Sequence, residues 1–429
     1  MRLSDSGNCS SLPTVGQLPA LKELYVERMK VVKSVGGELY GGNQPFQCLE
    51  KLEFREMPEW EEWLPSPSGG ESPDFPRLQE LILYDCPKLV GDLPAHLPSL
   101  KTLDVSECEV LHENRASNTL NTESLRGSLE KLTIMGCPGL SLLLESTETL
   151  PSLQMLRIGS VGGSKWLPHN SNRLRSLTLY GCSSLLSFPT NGLPTTLTSL
   201  RIQNCKKLEF LSREMMANLT SLQSLYLIRS CDSLRSFPLG IFPKLAYLEI
   251  WSCNLESLSV SVEGGADENL NILDIRYCPN LVSFPDGGLP TPNLTYFSVR
   301  GCENLKLLPD RMHTLTALQG LEISNLPNVV SFAQGGLPPN LQTLFIRNWD
   351  LVETLLNEQL LPATLHTLLI YDASNLKFLP KEGLPASLSY LRIRGCPSLK
   401  KRYGNKKGKD WRNIARIPCI NIDDEITII

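Results

Sequence analysis

The chain has 429 residues, a hydrophobic content of 41% and a formal net charge of −4. That length exceeds what one compact core usually serves, and the small charge gives no bulk reason to expect a nucleic-acid or membrane partner. No run approaches the ~18 apolar residues of a membrane span, and Met1 is followed by Arg2, Ser4, Asp5 and Ser6 with no apolar signal region.

The first residues predict a partial repeat. Leu3 reads as the last strand leucine of a unit whose first half is missing, and no polar cap precedes it. An apolar edge is therefore expected around Leu3, Leu12, Leu21 and Leu24. From there the pattern L-x-x-L-x-(L/I/V) recurs. Its copies begin at Leu21, Leu49, Leu78, Leu100, Leu129, Leu153, Leu174, Leu197, Leu222, Leu245, Leu270, Leu294, Leu318, Leu341, Leu365 and Leu388. Spacings run from 21 to 29 residues and stay between 23 and 25 from Leu174 onward, inside the leucine-rich-repeat window. In Leu197-Thr-Ser-Leu200-Arg-Ile202 the alternation sends Leu200 and Ile202 to one strand face and Ser199, Arg201 and Gln203 to the other. One such strand cannot bury its apolar face, so the copies must stack. The fold expected is an α/β solenoid, a leucine-rich-repeat horseshoe with a concave parallel β-sheet and a mostly irregular or 3-10 convex side. Residues 1–173 read as irregular leading repeats, including a Pro/Ser/Gly loop at Pro65 to Gly70 and a polar insert near His112 to Ser128. Residues 174–403 read as regular repeats and 404–429 as a basic tail or cap.

Eight residues after the first leucine a cysteine recurs, at Cys86, Cys108, Cys137, Cys182, Cys205, Cys253, Cys278, Cys302 and Cys396. Other copies place Met29, Met57, Val161, Ser230, Leu326, Trp349 or Ala373 there, and Cys231 is shifted by one. Such substitutes mark a buried position, so a stack of reduced core thiols is expected. Zinc would need thiolates converging on a point. Disulfides between neighbours such as Cys278 and Cys302 are open by spacing and closed by a reducing compartment. A second apolar pair then often ends in proline, as at Leu185-Leu-Ser-Phe188-Pro189, and Gly-Leu-Pro turns such as Gly288-Leu289-Pro290 and Gly383-Leu384-Pro385 lead back to the sheet. Proline and glycine at this density predict extended or short 3-10 segments instead of helices.

Function is expected on the polar face of the strands. The residue after the second strand leucine gives Trp251, Arg276, Arg300, Ser324, Arg347, Tyr371 and Arg394 in the later copies, and the column beside it adds Tyr226, Glu249, Asp274, Glu322 and Phe345. Arginine and aromatic side chains are the usual anchors of protein interfaces; an ordinary solvated strand face has the same composition. The partner-binding residues taken from these columns are Tyr226, Trp251, Arg276, Arg300, Phe345, Arg347, Tyr371 and Arg394, with an acidic segment as the expected partner. Arg300 and Arg347 are expected to face solvent and to tolerate substitution by glutamate. The tail concentrates Lys400, Lys401, Arg402, Lys406, Lys407, Lys409 and Arg412 before Asp423, Asp424 and Glu425, a solvated terminus or a nucleic-acid signal. No enzyme is expected. The five histidines lack metal-site spacing and no G-x-S-x-G elbow occurs.

Several segments go beyond the generic repeat: Cys9-Ser-Ser-Leu-Pro, Gly16-Gln-Leu-Pro-Ala-Leu21, Met57-Pro-Glu-Trp60-Glu-Glu-Trp63, the Ser-Phe-Pro…Gly-Leu-Pro turns, and a tail with Cys396-Pro-Ser-Leu, Gly408-Lys-Asp-Trp411-Arg-Asn-Ile-Ala415 and Ile417-Pro-Cys-Ile420. With them the chain resembles, along essentially its whole length, the C-terminal repeat region of plant intracellular immune receptors of the coiled-coil, nucleotide-binding type. That resemblance implies a cytoplasmic protein that binds a pathogen effector or a guarded host protein and restrains a nucleotide-binding module. The phosphate loop G-x-x-x-x-G-K-(S/T) is absent; Gly162-Gly-Ser-Lys165 has the wrong spacing, and Met312-His313-Thr314 is similar to the family's Met-His-Asp motif but sits inside a repeat. No cofactor is therefore expected in this chain, with ATP or ADP confined to a full-length receptor. Neither nucleic acid nor a membrane span is expected. The competing readings are an extracellular repeat ectodomain, for which Asn8, Asn218 and Asn293 offer glycosylation sequons, and a substrate adaptor of a ubiquitin ligase.

Overall fold

The computed structural model describes all residues except 43, 67–72, 92, 95, 112–126, 141–149, 161–171, 191, 261–267, 330, 332–335, 358–360, 380–383 and 406–407. Val161, Gly162 to Lys165, most of the 65–70 loop and the 112–128 insert, Gly383, Lys406 and Lys407 lie outside the described residues. The chain forms two compact units, Met1–Leu219 and Thr220–Ile429.

In the first unit each leucine motif becomes a short strand. These are β1 (Arg2–Ser4), β2 (Glu23–Glu27), β4 (Lys51–Arg55), β6 (Glu80–Tyr84), β7 (Thr102–Ser106), β8 (Lys131–Met135), β9 (Met155–Gly159), β10 (Ser176–Tyr180) and β11 (Ser199–Gln203). They pair in that order, all parallel. Leu3 sits opposite Val26, the place the partial repeat assigns to it. Leu12 and Leu24 are buried, so the apolar edge expected there is confined to Leu3 and Leu21, both half-buried. The Trp60/Trp63 motif is a packing device. Trp60 is fully buried against Phe54 at 4.6 Å between ring centroids, and Trp63 donates from Nε1 to the Tyr40 hydroxyl at 2.9 Å. A second, two-stranded ladder, β3 (Ser34–Val35) with β5 (Glu62–Trp63), continues from these aromatics.

The second unit repeats the plan. Its main strands are β12 (Ser224–Ile228), β14 (Tyr247–Trp251), β16 (Ile272–Arg276), β17 (Tyr296–Arg300), β18 (Gly320–Ser324), β19 (Thr343–Arg347), β20 (Thr367–Tyr371), β21 (Tyr390–Arg394) and β22 (Cys419–Ile422), and β13 (Ser236–Leu239) pairs with β15 (Ser257–Val260) apart from them. The main strands run parallel without a register slip, so Leu248 meets Leu273 and Glu249 meets Asp274. A slip of one residue would turn every leucine outward. Last, β23 (Glu425–Ile428) folds back antiparallel on β22. The tail is thus one more rung of the sheet: Ile417, Ile420 and Ile422 are buried, matching the leucine motif with isoleucine in its place. Tyr403 and Ile414 are buried beneath it, and the Tyr403 hydroxyl accepts from the Leu379 amide at 3.0 Å.

The connections are mostly irregular, as the prolines predict, with single 3-10 turns at Pro138–Leu140 and Met312–Thr314. Among the described residues four short helices depart from that expectation, Gly37–Tyr40, Arg213–Asn218, Val352–Asn357 and Pro397–Tyr403. Each falls where a helix-compatible stretch lacks an internal proline; Pro397 occupies the first helical position, where its missing N–H costs nothing.

The cysteine column is buried throughout. Its chemistry explains its residue type: the thiol of each cysteine points to the carbonyl two residues back, as Cys278 to Arg276 at 3.5 Å and Cys302 to Arg300 at 3.5 Å. Ser230 makes the same bond to Ile228 at 2.7 Å. A small donor at this slot caps a strand-end carbonyl inside the core. Burial pushes the Cys253 thiol up to about 12.

Candidate functional site

Residues two apart on each strand of the second unit share the solvent face, which makes three columns. The register sets Trp251, Arg276, Arg300, Ser324, Arg347, Tyr371 and Arg394 side by side in the last column. Tyr226, Glu249, Asp274, Ser298, Glu322, Phe345, Leu369 and Arg392 fill the middle one. Sequence reasoning missed the first column, which carries Tyr247, Tyr296 and Tyr390 at the strand starts. The same two-residue alternation marks it, one step earlier than the residues between the leucines.

Side by side does not mean equally available. Arg276 donates from Nε to both oxygens of Asp274, at 2.8 and 2.9 Å. Arg300 lies between Asp274, at 3.7 Å, and Glu322, at 3.1 Å. The Asp274 side chain is 3% exposed and that of Glu322 is 9%, and the Tyr296 hydroxyl donates to Glu322 at 2.8 Å. These two arginines therefore neutralise carboxylates that are almost out of water. The expectation that Arg300 faces solvent freely is corrected by this: its side chain is only 26% exposed. Arg276 is held protonated, first by its hydrogen bond to Asp274. Burial, then the charges of Glu249 and Asp274, pushes the Tyr247 hydroxyl up to about 12. The first unit uses the same device, with Arg55 paired to the buried Glu53 and stacked over Tyr84 at 5.4 Å.

The later strands differ. Phe345 and Tyr371 pack edge to face at 4.9 Å, with Leu369 beside Phe345 in register. Arg392 covers the Tyr371 ring at 5.6 Å and reaches Asp424 at 2.8 Å. Arg347 pairs with Asp372 at 2.8 Å, both half exposed, and Arg394 is exposed. On β23, Ile426 lies opposite Asn421 and Ile428 opposite Cys419. Both isoleucines therefore stand on the same face as Tyr390 and Arg392, and they are 64% and 81% exposed. An apolar strip of Phe345, Leu369, Tyr371, Tyr390, Ile426 and Ile428 results, edged by Arg347 and Arg394. The sequence reading passed over Ile426 and Ile428 because it took them for tail.

The residue after the last column forms another missed line. Arg229, Ser252, Tyr277, Gly301, Asn325, Asn348, Asp372 and Gly395 all have positive φ, the turn by which the chain leaves the sheet. Its enrichment in Gly, Asn and Asp was legible, since these residues tolerate that conformation. At Gly395 a Cβ would also meet the carboxylate of Asp372.

No family model matches the chain. A disease resistance protein of Arabidopsis thaliana is 27% identical over 99% of this chain and 44% of its own length. An RPP13-like disease resistance protein of the same plant is 32% identical over 48% of this chain and 20% of its own. The chain is a leucine-rich-repeat array similar, along nearly its whole length, to a plant disease resistance protein. It spans less than half the length of these relatives. Among solved structures, a TLR13–ssRNA13 complex aligns over 94% of this chain and 65% of that one, at 15% identity and a TM-score of 0.43. The plant peptide hormone receptor RGFR1 with RGF2 covers 87% and 61%, at 18% identity and 0.33. Among the described residues no helix of this array is long and apolar enough to cross a membrane.

Proposed function

We propose that this repeat array is the protein-recognition and autoregulatory part of a cytoplasmic plant immune receptor, and that it binds through the solvent face of β19 to β23. The observation that carries this reading is the strip of half-buried Phe345, Leu369, Tyr371 and Tyr390 that ends in the exposed Ile426 and Ile428. Apolar side chains gathered on one sheet face and left partly open to water mark an interaction surface, and Arg347 and Arg394 at its edge favour an acidic residue on the partner. A pathogen effector, a guarded host protein or the receptor's own nucleotide-binding module would supply such a segment. The chain itself carries no catalytic or nucleotide role in this reading. Buried thiols such as those of Cys278 and Cys302, each directed at a backbone carbonyl, favour a reducing compartment. The extracellular alternative is disfavoured at one sequon, because Asn293 uses its amide nitrogen to hold the Glu268 carbonyl at 2.7 Å.

The test is a receptor carrying this array with Tyr371→Ala and Ile426→Asp, expressed in leaf tissue. Cell death should be lost on challenge or appear without it, while the melting temperature of the purified array stays unchanged. Wild-type signalling with a wild-type melt would overturn the assignment.

A further inference from the structure

Strands β12, β14 and β16 carry a second group of side chains on the solvent face that the reading above does not use. Glu249 stands in the middle column, with Tyr226 on one neighbouring strand and Asp274 on the other. Tyr247 precedes it and Trp251 follows it on the same face of β14. Glu249 is 9% exposed. Its one hydrogen-bond donor among the described residues is the Tyr247 hydroxyl, at 3.3 Å.

The three carboxylates of this region are not served alike. Asp274 and Glu322 each hold at least one guanidinium within 4 Å. Among the described residues no lysine or arginine lies that close to Glu249. Arg276 senses its charge, but that guanidinium is fixed on Asp274 by hydrogen bonds from both Nε and a terminal nitrogen. A carboxylate this far from water is costly unless a cation joins it. The side chains around it are the ones that receive an organic cation. The rings of Tyr226 and Tyr247 lie 5.0 Å apart at 36°, and Trp251 already takes a guanidinium from the protein itself, that of Arg229, at 5.3 Å. Aromatic faces attract cations at such distances. A planar guanidinium can stack on the rings and pair with the carboxylate together, which an ammonium cannot match.

We propose that Glu249, Tyr226, Tyr247 and Trp251 form a receptor site for an arginine side chain presented by a protein partner. The site is separate from the apolar strip of β19 to β23 and stands whether or not that strip binds a protein. It gives the face two chemistries: an acidic aromatic site on β12 to β16, and an apolar, arginine-edged strip beyond.

The experiment uses the full chain with 5-fluorotryptophan at its six tryptophans, the Trp251 signal being assigned by Trp251→Phe. N-acetyl-arginine amide is titrated against the fluorine spectrum, with N-acetyl-citrulline amide as the neutral isostere. The arginine derivative should shift the Trp251 signal saturably and the citrulline derivative should not. Glu249→Gln should weaken binding by about tenfold or more with the other tryptophan signals in place, and Tyr226→Leu should weaken it less. Arg347→Glu should leave it unchanged. Absence of a saturable shift, an equal shift with citrulline, or undiminished binding in Glu249→Gln would overturn the proposal. If Glu249→Gln disturbs the other signals, Tyr226→Leu decides: undiminished binding there also overturns it. None of these outcomes depends on the leaf assay with Tyr371.

Discussion

Arg300 and Arg347 occupy the same column of the same sheet, yet their substitution should have opposite consequences. Arg300 bridges Asp274 and Glu322, whose side chains are 3% and 9% exposed. Removing one partner of so buried a group leaves uncompensated charge, and a glutamate there would add a third carboxylate. Arg300→Glu is therefore expected to destabilise the fold by about 3–5 kcal/mol. Arg347 pairs with Asp372 at 2.8 Å, but both side chains are about half exposed, and such pairs contribute below about 1 kcal/mol. Arg347→Glu should melt like the wild type. Separate denaturant titrations of the two variants check this, and equal midpoints would show that the Asp274 and Glu322 carboxylates do not depend on Arg300. A signalling defect in Arg347→Glu is thus informative about recognition, whereas one in Arg300→Glu reports on folding first. The arginines were legible in the sequence. Their different standing was not, because it depends on carboxylates that lie in the strand before, 26 residues back, and in the strand after, 22 residues on.

At the scale of elements, the closing hairpin of β22 and β23 is the least expected piece. It is anchored through Asp423, whose Oδ1 accepts from the Gly395 amide at 2.8 Å and whose Oδ2 pairs with Lys400 at 3.0 Å. The Gly395 bond first, then Lys400, holds the Asp423 carboxyl below its ordinary 3.8. A carboxyl depressed in the folded state contributes stability that is present above the unfolded value and is lost as pH falls through the folded one. The hairpin should therefore loosen on the acid side of pH 3.8, and Asp423→Asn should loosen it at neutral pH by about 1 kcal/mol. Faster protease cleavage after Asn421 in Asp423→Asn than in the wild type, both at neutral pH, is the expected result. Equal rates would mean that Ile420 and Ile422 hold the strand by themselves. The hairpin escaped the leucine pattern because isoleucine replaces leucine in Ile417-Pro-Cys-Ile420-Asn-Ile422; both side chains fill the same rung, so the core accepts either.

Across the whole chain, the thiols test how completely the repeats close. Cys9, Cys48 and Cys419 are partly accessible, and the other ten of the thirteen cysteines are buried. Mild alkylation of the native protein should modify those three and spare the rest, with all thirteen reacting in denaturant; rapid native labelling of Cys182, Cys205, Cys278 or Cys302, read by mass spectrometry, would show that the repeats open. The repeat, its strands and their register were determined by the sequence alone. Leucines at a period of two within a strand and of about 24 residues between strands allow one parallel stacking, because any other register exposes them. The cysteine slot was equally legible, since Met, Val, Leu and Ala share it. What the tertiary structure decided is which polar side chains remain available on the solvent face. Stacking brings Asp274 to Arg300, leaves Glu249, among the described residues, with no lysine or arginine within 4 Å, and carries Ile426 and Ile428 beyond Tyr390 onto the exposed side. Those outcomes depend on neighbours across strands, and a pattern read along one strand holds no information about the charge or the cover that the next strand supplies.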